Sequence, residues 1–278
     1  MWATEADIPE IEAFLGPRAA QNMFPLNNLY QFGLDSDHGY APNYWLVRAS
    51  GRITDILTIT NNGMVMPQCP SMDWPAYAEA FLDRDLTGVI GPAVQCRSFI
   101  NAVGLDQVAT NLNHDEPQYE LDLANLVIPE GIGDIVPLAD ADKAEMIRWR
   151  YEYEIEALNT PTDEAMQVAE VDYASYVANR SHVTLMDGET ALCTTGFNAR
   201  LPDIVQIGGV YTPPELRQQG YARRAGALHL AQARDQGVSR ATLFSANEYA
   251  SRAYQAIGFT YVGQWTLCLF NGKHRAHV

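Results

Sequence analysis

Ile207-Gly208-Gly209-Val210-Tyr211-Thr212-Pro213-Pro214-Glu215-Leu216-Arg217-Gln218-Gln219-Gly220-Tyr221-Ala222 is an apolar run that passes through two prolines into a helical pattern. Arg217, Gly220 and Ala222 form RxxGxA, and Arg223, Arg224, Ala225 and Leu228 keep helical spacing with no breaker before Gly237. The spacing predicts a strand, a turn and a helix start. The first NH groups of a helix have no partner within it, and the aligned peptide dipoles add partial positive charge there. Gly220 removes the side chain that would block a phosphate, and Arg217, Arg223 and Arg224 place full positive charge around the turn. These residues describe a seat for a pyrophosphate; they would equally open a well-packed helix with no ligand.

The residues downstream separate the two readings. A strand pattern, Arg240 to Ser245, leads into Asn247-Glu248-Tyr249-Ala250-Ser251-Arg252-Ala253-Tyr254-Gln255-Ala256-Ile257-Gly258-Phe259, or NxxAxxxYxxxGF. Strand, RxxGxA, helix, strand and NxxAxxxYxxxGF, in this order, resemble the acetyl-CoA-binding core of the GNAT N-acetyltransferase superfamily. The resemblance covers about the last half of the chain. It implies acetyl-CoA as cosubstrate, with Arg217, Gln218, Gln219, Gly220, Tyr221 and Ala222 on its pyrophosphate. Val210 and Thr212 would meet the acyl-pantetheine, Asn247 the pantetheine or its own helix start, and Tyr254 would protonate the leaving thiolate. No metal is implied.

The remaining chain reads as an α/β (α+β, GNAT-like) protein with a mixed, mostly antiparallel sheet flanked by helices. A strand, turn, strand pattern at Tyr44–Ala49 and Ile53–Thr60, a short strand at Met64–Met66, a helix through Trp74 to Leu82, a strand at Thr87–Ile90, a helix at Pro92–Val103 and a strand at Tyr119–Leu123 fill the first half. The same order returns in the second. Helices at 142–158 and 162–179 precede the hairpin His182–Met186 and Thr190–Phe197, then the strand Ile204–Tyr211. The repetition predicts two diverged copies of one unit in tandem. The expected division is 1–131, a degenerate GNAT-like domain, and 132–278, the acetyl-CoA-binding domain, with the Pro129–Gly133 cluster between them. After Met66 the first copy reads Pro67-Gln68-Cys69-Pro70-Ser71, without RxxGxA, so its anion seat is missing.

Eighteen Lys plus Arg against 34 Asp plus Glu, a formal charge of −16, argue against nucleic acid and anionic membranes as partners. The acidity favours a cationic small-molecule amine as acceptor. No run is long and apolar enough to span a membrane. Cys69, Cys96, Cys193 and Cys268 show neither CxxC nor metal-ligand spacing and read as buried thiols of a reducing cytoplasm.

GNAT enzymes often carry a Glu on the strand entering the anion turn, and Gln206 to Tyr211 holds no carboxylate. Glu152, Glu154 and Glu156 could act through water or bind a cation, but a solvated helix face is the simpler reading. His182 and His229 receive no role, and Lys273–His277 reads as a frayed basic terminus. The expected activity is transfer of an acetyl group from acetyl-CoA to a primary amine of a small molecule by direct attack in a ternary complex. An amino-acid N-acyltransferase using a longer acyl-CoA, and an acyl-CoA-binding module without turnover, stay open. Self-association is undetermined.

Overall fold

The computed structural model describes residues 1–276. In chain order its principal elements are α1 (Ile8–Leu15), α2 (Met23–Phe32), β1 (Pro42–Ala49), β2 (Arg52–Thr60), β3 (Met64–Gln68), α3 (Ala78–Phe81), β4 (Leu86–Pro92), α4 (Ala93–Ala102) and β5 (Thr110–Asp122). Then come β6 (Asp134–Pro137), α5 (Lys143–Leu158), α6 (Thr162–Asn179), β7 (His182–Asp187), β8 (Thr190–Arg200), β9 (Ile204–Tyr211), α7 (Tyr221–Asp235), β10 (Arg240–Phe244), α8 (Glu248–Gln255) and β11 (Thr260–His274). They form two compact units, Met1–Glu116 with Gly263–Val278, and Pro117–Val262.

In the first unit β1, β2 and β3 pair antiparallel in succession, β3 pairs parallel with β4, and β4 pairs antiparallel with β11. In the second, β6, β7, β8 and β9 pair antiparallel, β9 pairs parallel with β10, and β10 pairs antiparallel with β5. From β1 and from β7 onward the orientations run alike: two antiparallel steps, one parallel, one antiparallel. The fold is thus mixed α/β with mostly antiparallel sheets flanked by helices, two diverged copies in tandem. The copies trade their last strands. β5 follows α4 in sequence yet pairs with β10, and β11 follows α8 yet pairs with β4.

Each unit has its own apolar core. In the first, Trp74, Tyr77, Phe81 and Phe99 meet across a cluster with the strands, with Trp74 and Phe99 ring centroids 5.3 Å apart and Phe81 and Phe99 5.4 Å apart. In the second, alternate strand residues Tyr119, Leu121, Val205, Ile207, Ala241 and Leu243 pack against Ala227, Leu230 and Ala233 of α7, which recur at helical spacing. Asp142 caps α5 by accepting from the Glu145 NH at 2.8 Å.

Some elements differ from expectation. The helix through Trp74 to Leu82 is a 3₁₀ turn at Trp74–Tyr77 followed by the four-residue α3. β5 starts nine residues before the expected Tyr119, because Asn111, Asn113, His114, Asp115 and Glu116 hide a strand behind polar composition. β6 is short and went unseen. The tail is ordered where it is described: Lys273 and His274 lie in β11, Arg275 Nε contacts Asp85 at 3.2 Å, and Ala276 is buried. His277 lies outside the described residues.

Where the first unit would need an anion seat, its own side chains occupy the turn. After β3 the Cys69 NH donates to Gln95 Oε1 at 2.5 Å, and the Ser71 NH donates to the buried Asp55 carboxylate at 2.8 Å. A carboxylate already sits where an incoming anion would seek an NH donor. Only 3₁₀ and four-residue helical pieces separate β3 from β4, so no helix of useful length opens there.

Candidate active site

β9 is paired with β10 only as far as Ile207, which opposes Leu243. From Gly208 to Tyr211 the strand continues without that neighbour. A register shift against β8 falls in the same stretch: Gly208 opposes Gly196, Tyr211 opposes Thr194, and Gly209 takes φ +61°. This is a bulge that bends β9 away from its parallel partner, and glycine is what the left-handed backbone there requires. The freed edge offers backbone NH and C=O groups to an extended amide-bearing ligand.

The edge runs into the predicted seat. After Pro214–Leu216, Gln218 adopts φ +64° and Gly220 φ +84°, and α7 begins at Tyr221. The Arg224 NH is the first to bond within the helix, to Gly220 O at 3.0 Å, leaving the NH groups of Tyr221, Ala222 and Arg223 at the open end. Gln218 and Gln219 are exposed beside them. A Cβ on Gly220 would lie 3.6 Å from an Arg223 guanidinium nitrogen, so Arg223 borders the turn.

The three arginines of the turn do different things. Arg224 gives all its reach to the main chain, donating to Pro129 O at 2.8 Å and to Gly133 O at 3.1 and 3.0 Å. Arg217 donates to Thr212 O at 2.9 Å and makes a bidentate pair with Glu156, both bonds 2.7 Å. Arg223 alone keeps a buried Nε with no hydrogen-bond partner. An orphaned guanidinium nitrogen beside three open NH groups fits a pyrophosphate. Sequence reasoning counted Arg223 as charge and did not single it out.

Asn247 caps α8, its side chain accepting from the Ala250 NH at 2.9 Å. Tyr254 lies one face along, buried against Phe259 at 5.8 Å in an edge-on ring contact. Burial pushes its phenol well above the usual tyrosine range, so the group is held protonated. Cys193 sits in the same unit, and burial raises its thiol to about 12, which leaves it inert as a nucleophile.

Of the α5 carboxylates, Glu156 is exposed as expected, but Glu154 is buried and all three have partners. Glu152 accepts from Tyr211 OH at 2.8 Å, Glu154 is buried and pairs with Arg150, and Glu156 holds Arg217. Arg150 also pairs with Asp172 at 2.6 Å and lies over the Tyr153 ring at 4.7 Å. Helix α5 is thus tied to α6 and to the turn by ion pairs, and to β9 by a hydrogen bond. No group of three or more potential metal ligands occurs among the described residues.

Residues 143–259 match the model of the acetyltransferase (GNAT) family. Over these residues the chain is similar to that family. The GNAT domain so defined runs from the first residue of α5 to Phe259 and includes both the bulged β9 and the α7 turn. Among solved structures, a tandem GNAT protein from the clavulanic acid biosynthesis pathway is 13% identical with a TM-score of 0.56, covering 96% of this chain and 98% of its own. A GCN5-related N-acetyltransferase from Sphaerobacter thermophilus is 15% identical with a TM-score of 0.55, covering 100% and 96%. A Drosophila protein reaches a TM-score of 0.63 at 9% identity, covering 97% of both chains. At such identities the likeness is one of fold. No curated protein matches the sequence. GNAT family and fold together support acyl transfer as the general chemistry.

Proposed function

We propose that the GNAT domain moves an acetyl group from acetyl-CoA to a primary amine of a small molecule, by direct transfer in a ternary complex. The observation that carries this reading is the edge of β9, unpaired with β10 beyond Ile207 and leading straight to the open NH groups of α7. In this reading the backbone at Val210 and Thr212 meets the acyl-pantetheine, and Asn247 holds the start of α8 beside it. Arg217, Gln218, Gln219, Gly220, Tyr221 and Ala222 form the pyrophosphate turn, with Arg223 completing it. Exposed NH donors on β9 stabilise the oxygen of the thioester as it gains negative charge. Tyr254, kept protonated by burial, gives its proton to the departing thiolate. The net charge of −16 favours an ammonium-bearing acceptor over an anionic one. Four free, buried cysteines accord with a reducing cytoplasm as the place of work.

Thermal unfolding with acetyl-CoA and with CoA, followed by CoA release in the presence of primary amines, tests the reading. A ligand bound only to the folded state at a hundredfold excess over its Kd adds about 2.7 kcal/mol of stability. Tyr254→Phe keeps the packing on Phe259, so binding should persist while kcat falls about a hundredfold. No shift with either ligand would refute the seat. The missing carboxylate on β9 favours a second reading, an acyl-CoA-binding module; a thermal shift with no CoA release from any amine would establish it instead.

A further inference from the structure

Beside the bulge of β9 lies a small recess of about 20 Å³, walled by Trp149, Arg150 and Tyr153 of α5, Tyr176 of α6, His182 of β7 and Tyr211 of β9. His182 is 4% exposed, and its Nε2 has no hydrogen-bond partner. Its Nδ1 lies 2.9 Å from Ser181 Oγ, and its ring stacks on Tyr176 with centroids 3.6 Å apart. Two glycines make room for it. A Cβ on Gly196 would overlap the imidazole, and one on Gly209 would lie 2.8 Å from Nε2.

An orphaned buried polar atom is destabilising unless a ligand meets it. Here the orphan faces the glycine at which β9 leaves β10. A second orphan, the Trp149 indole NH, belongs to the same walls. An imidazole nitrogen and an indole NH facing a recess of this size call for a small polar group such as an amine nitrogen.

We propose that His182 Nε2 accepts the proton of the acceptor amine, which makes the recess the amine site. This rests on the acetyl-transfer reading above and supplies the base that β9 lacks. The neutral amine nitrogen attacks the thioester carbonyl carbon; the C–N bond forms and the C–S bond breaks. One proton passes from the new cationic nitrogen to His182 Nε2, and one passes from Tyr254 to the thiolate. The products are an amide and free CoA thiol, and solvent resets both side chains. Burial, with His229 and Arg150, holds the imidazole well below its ordinary range, so it is neutral before attack. The groups around it are Arg150, paired with Glu154 and Asp172, and the phenols of Tyr153, Tyr176 and Tyr211.

The test has two arms on the full chain. Nitrogen-15 spectra of histidine-labelled protein should show His182 protonated on Nδ1 and bare at Nε2 near pH 7; the reverse tautomer overturns the proposal. CoA release from acetyl-CoA is then measured with methylamine, which is small enough for the recess. His182→Gln should lower kcat about a hundredfold, leave the thermal shift by acetyl-CoA intact and abolish the acidic limb of the kcat profile. Added imidazole should restore part of the rate of His182→Ala. A kcat within about twofold of wild type with an unchanged profile overturns the role of His182 alone. Absence of turnover in the wild type, despite an acetyl-CoA shift, overturns the transfer reading and the base together.

Discussion

His229 on α7 stacks on Phe197 with centroids 3.9 Å apart and leaves its Nδ1 unpartnered in the core. Burial lowers it from its ordinary 6.5 to about 3. An unfolded chain protonates this imidazole below pH about 6.5, and the folded chain does not until about 3, so unfolding takes up a proton in between. The stability is full above about 6.5 and is lost as pH falls through that window. His182 behaves in the same sense. His229→Phe should preserve the stack and remove one of the two protons, flattening the fall in urea midpoint between pH 7 and about 4.5. Identical slopes in variant and wild type would contradict the account. Single residues also mark where sequence reading succeeds. Gly220 and Asn247 were legible because a left-handed turn and a helix cap each select a residue type locally. The orphaned nitrogens of His182 and Arg223 were not, because lacking a partner is a property of the folded neighbourhood.

Among the elements, β9 was bounded correctly from Ile204 to Tyr211, as its apolar run stops at Thr212-Pro213-Pro214. What its composition did not reveal was the pairing that ends at Ile207, since two glycines suit a bend, a bulge or a ligand equally. The polar β5 and the short β6 escaped for the opposite reason: they carry too little periodic apolar pattern. The contiguous division at 131 and 132 is a proposal that the strands make testable. Residues 117–262 contain β5 from Pro117 together with β10, whose Arg240 to Phe244 oppose Asp122 to Gln118. A fragment of 132–278 has β10 without this partner and keeps β11 without β4. Expressed alone, 117–262 should be monomeric and give dispersed amide spectra, while 132–278 should aggregate through its bare edge. A soluble, folded 132–278 would favour the contiguous division.

At the scale of the molecule, charge sets how ligands arrive. With −16 overall, long-range repulsion opposes acetyl-CoA and draws in cations, while the α7 turn acts only at contact distance. Raising salt from about 10 mM to about 150 mM shortens the screening length from about 30 Å to about 8 Å. In stopped flow the association rate of acetyl-CoA should therefore rise with salt, and the KM of a cationic amine should rise too. An acetyl-CoA rate that falls would mean that the arginines of the turn govern the approach.

The traded strands carry a consequence for how the protein is born. Arg240 to Phe244 must be made before β5 has its partner, and Trp265 to Leu269 before β4 has its own. On the ribosome the first unit therefore waits, its sheet one strand short, until β11 emerges. The unit lacking the anion seat is begun before the other and completed after it, so its full sheet reports that α7 and α8 have already been made.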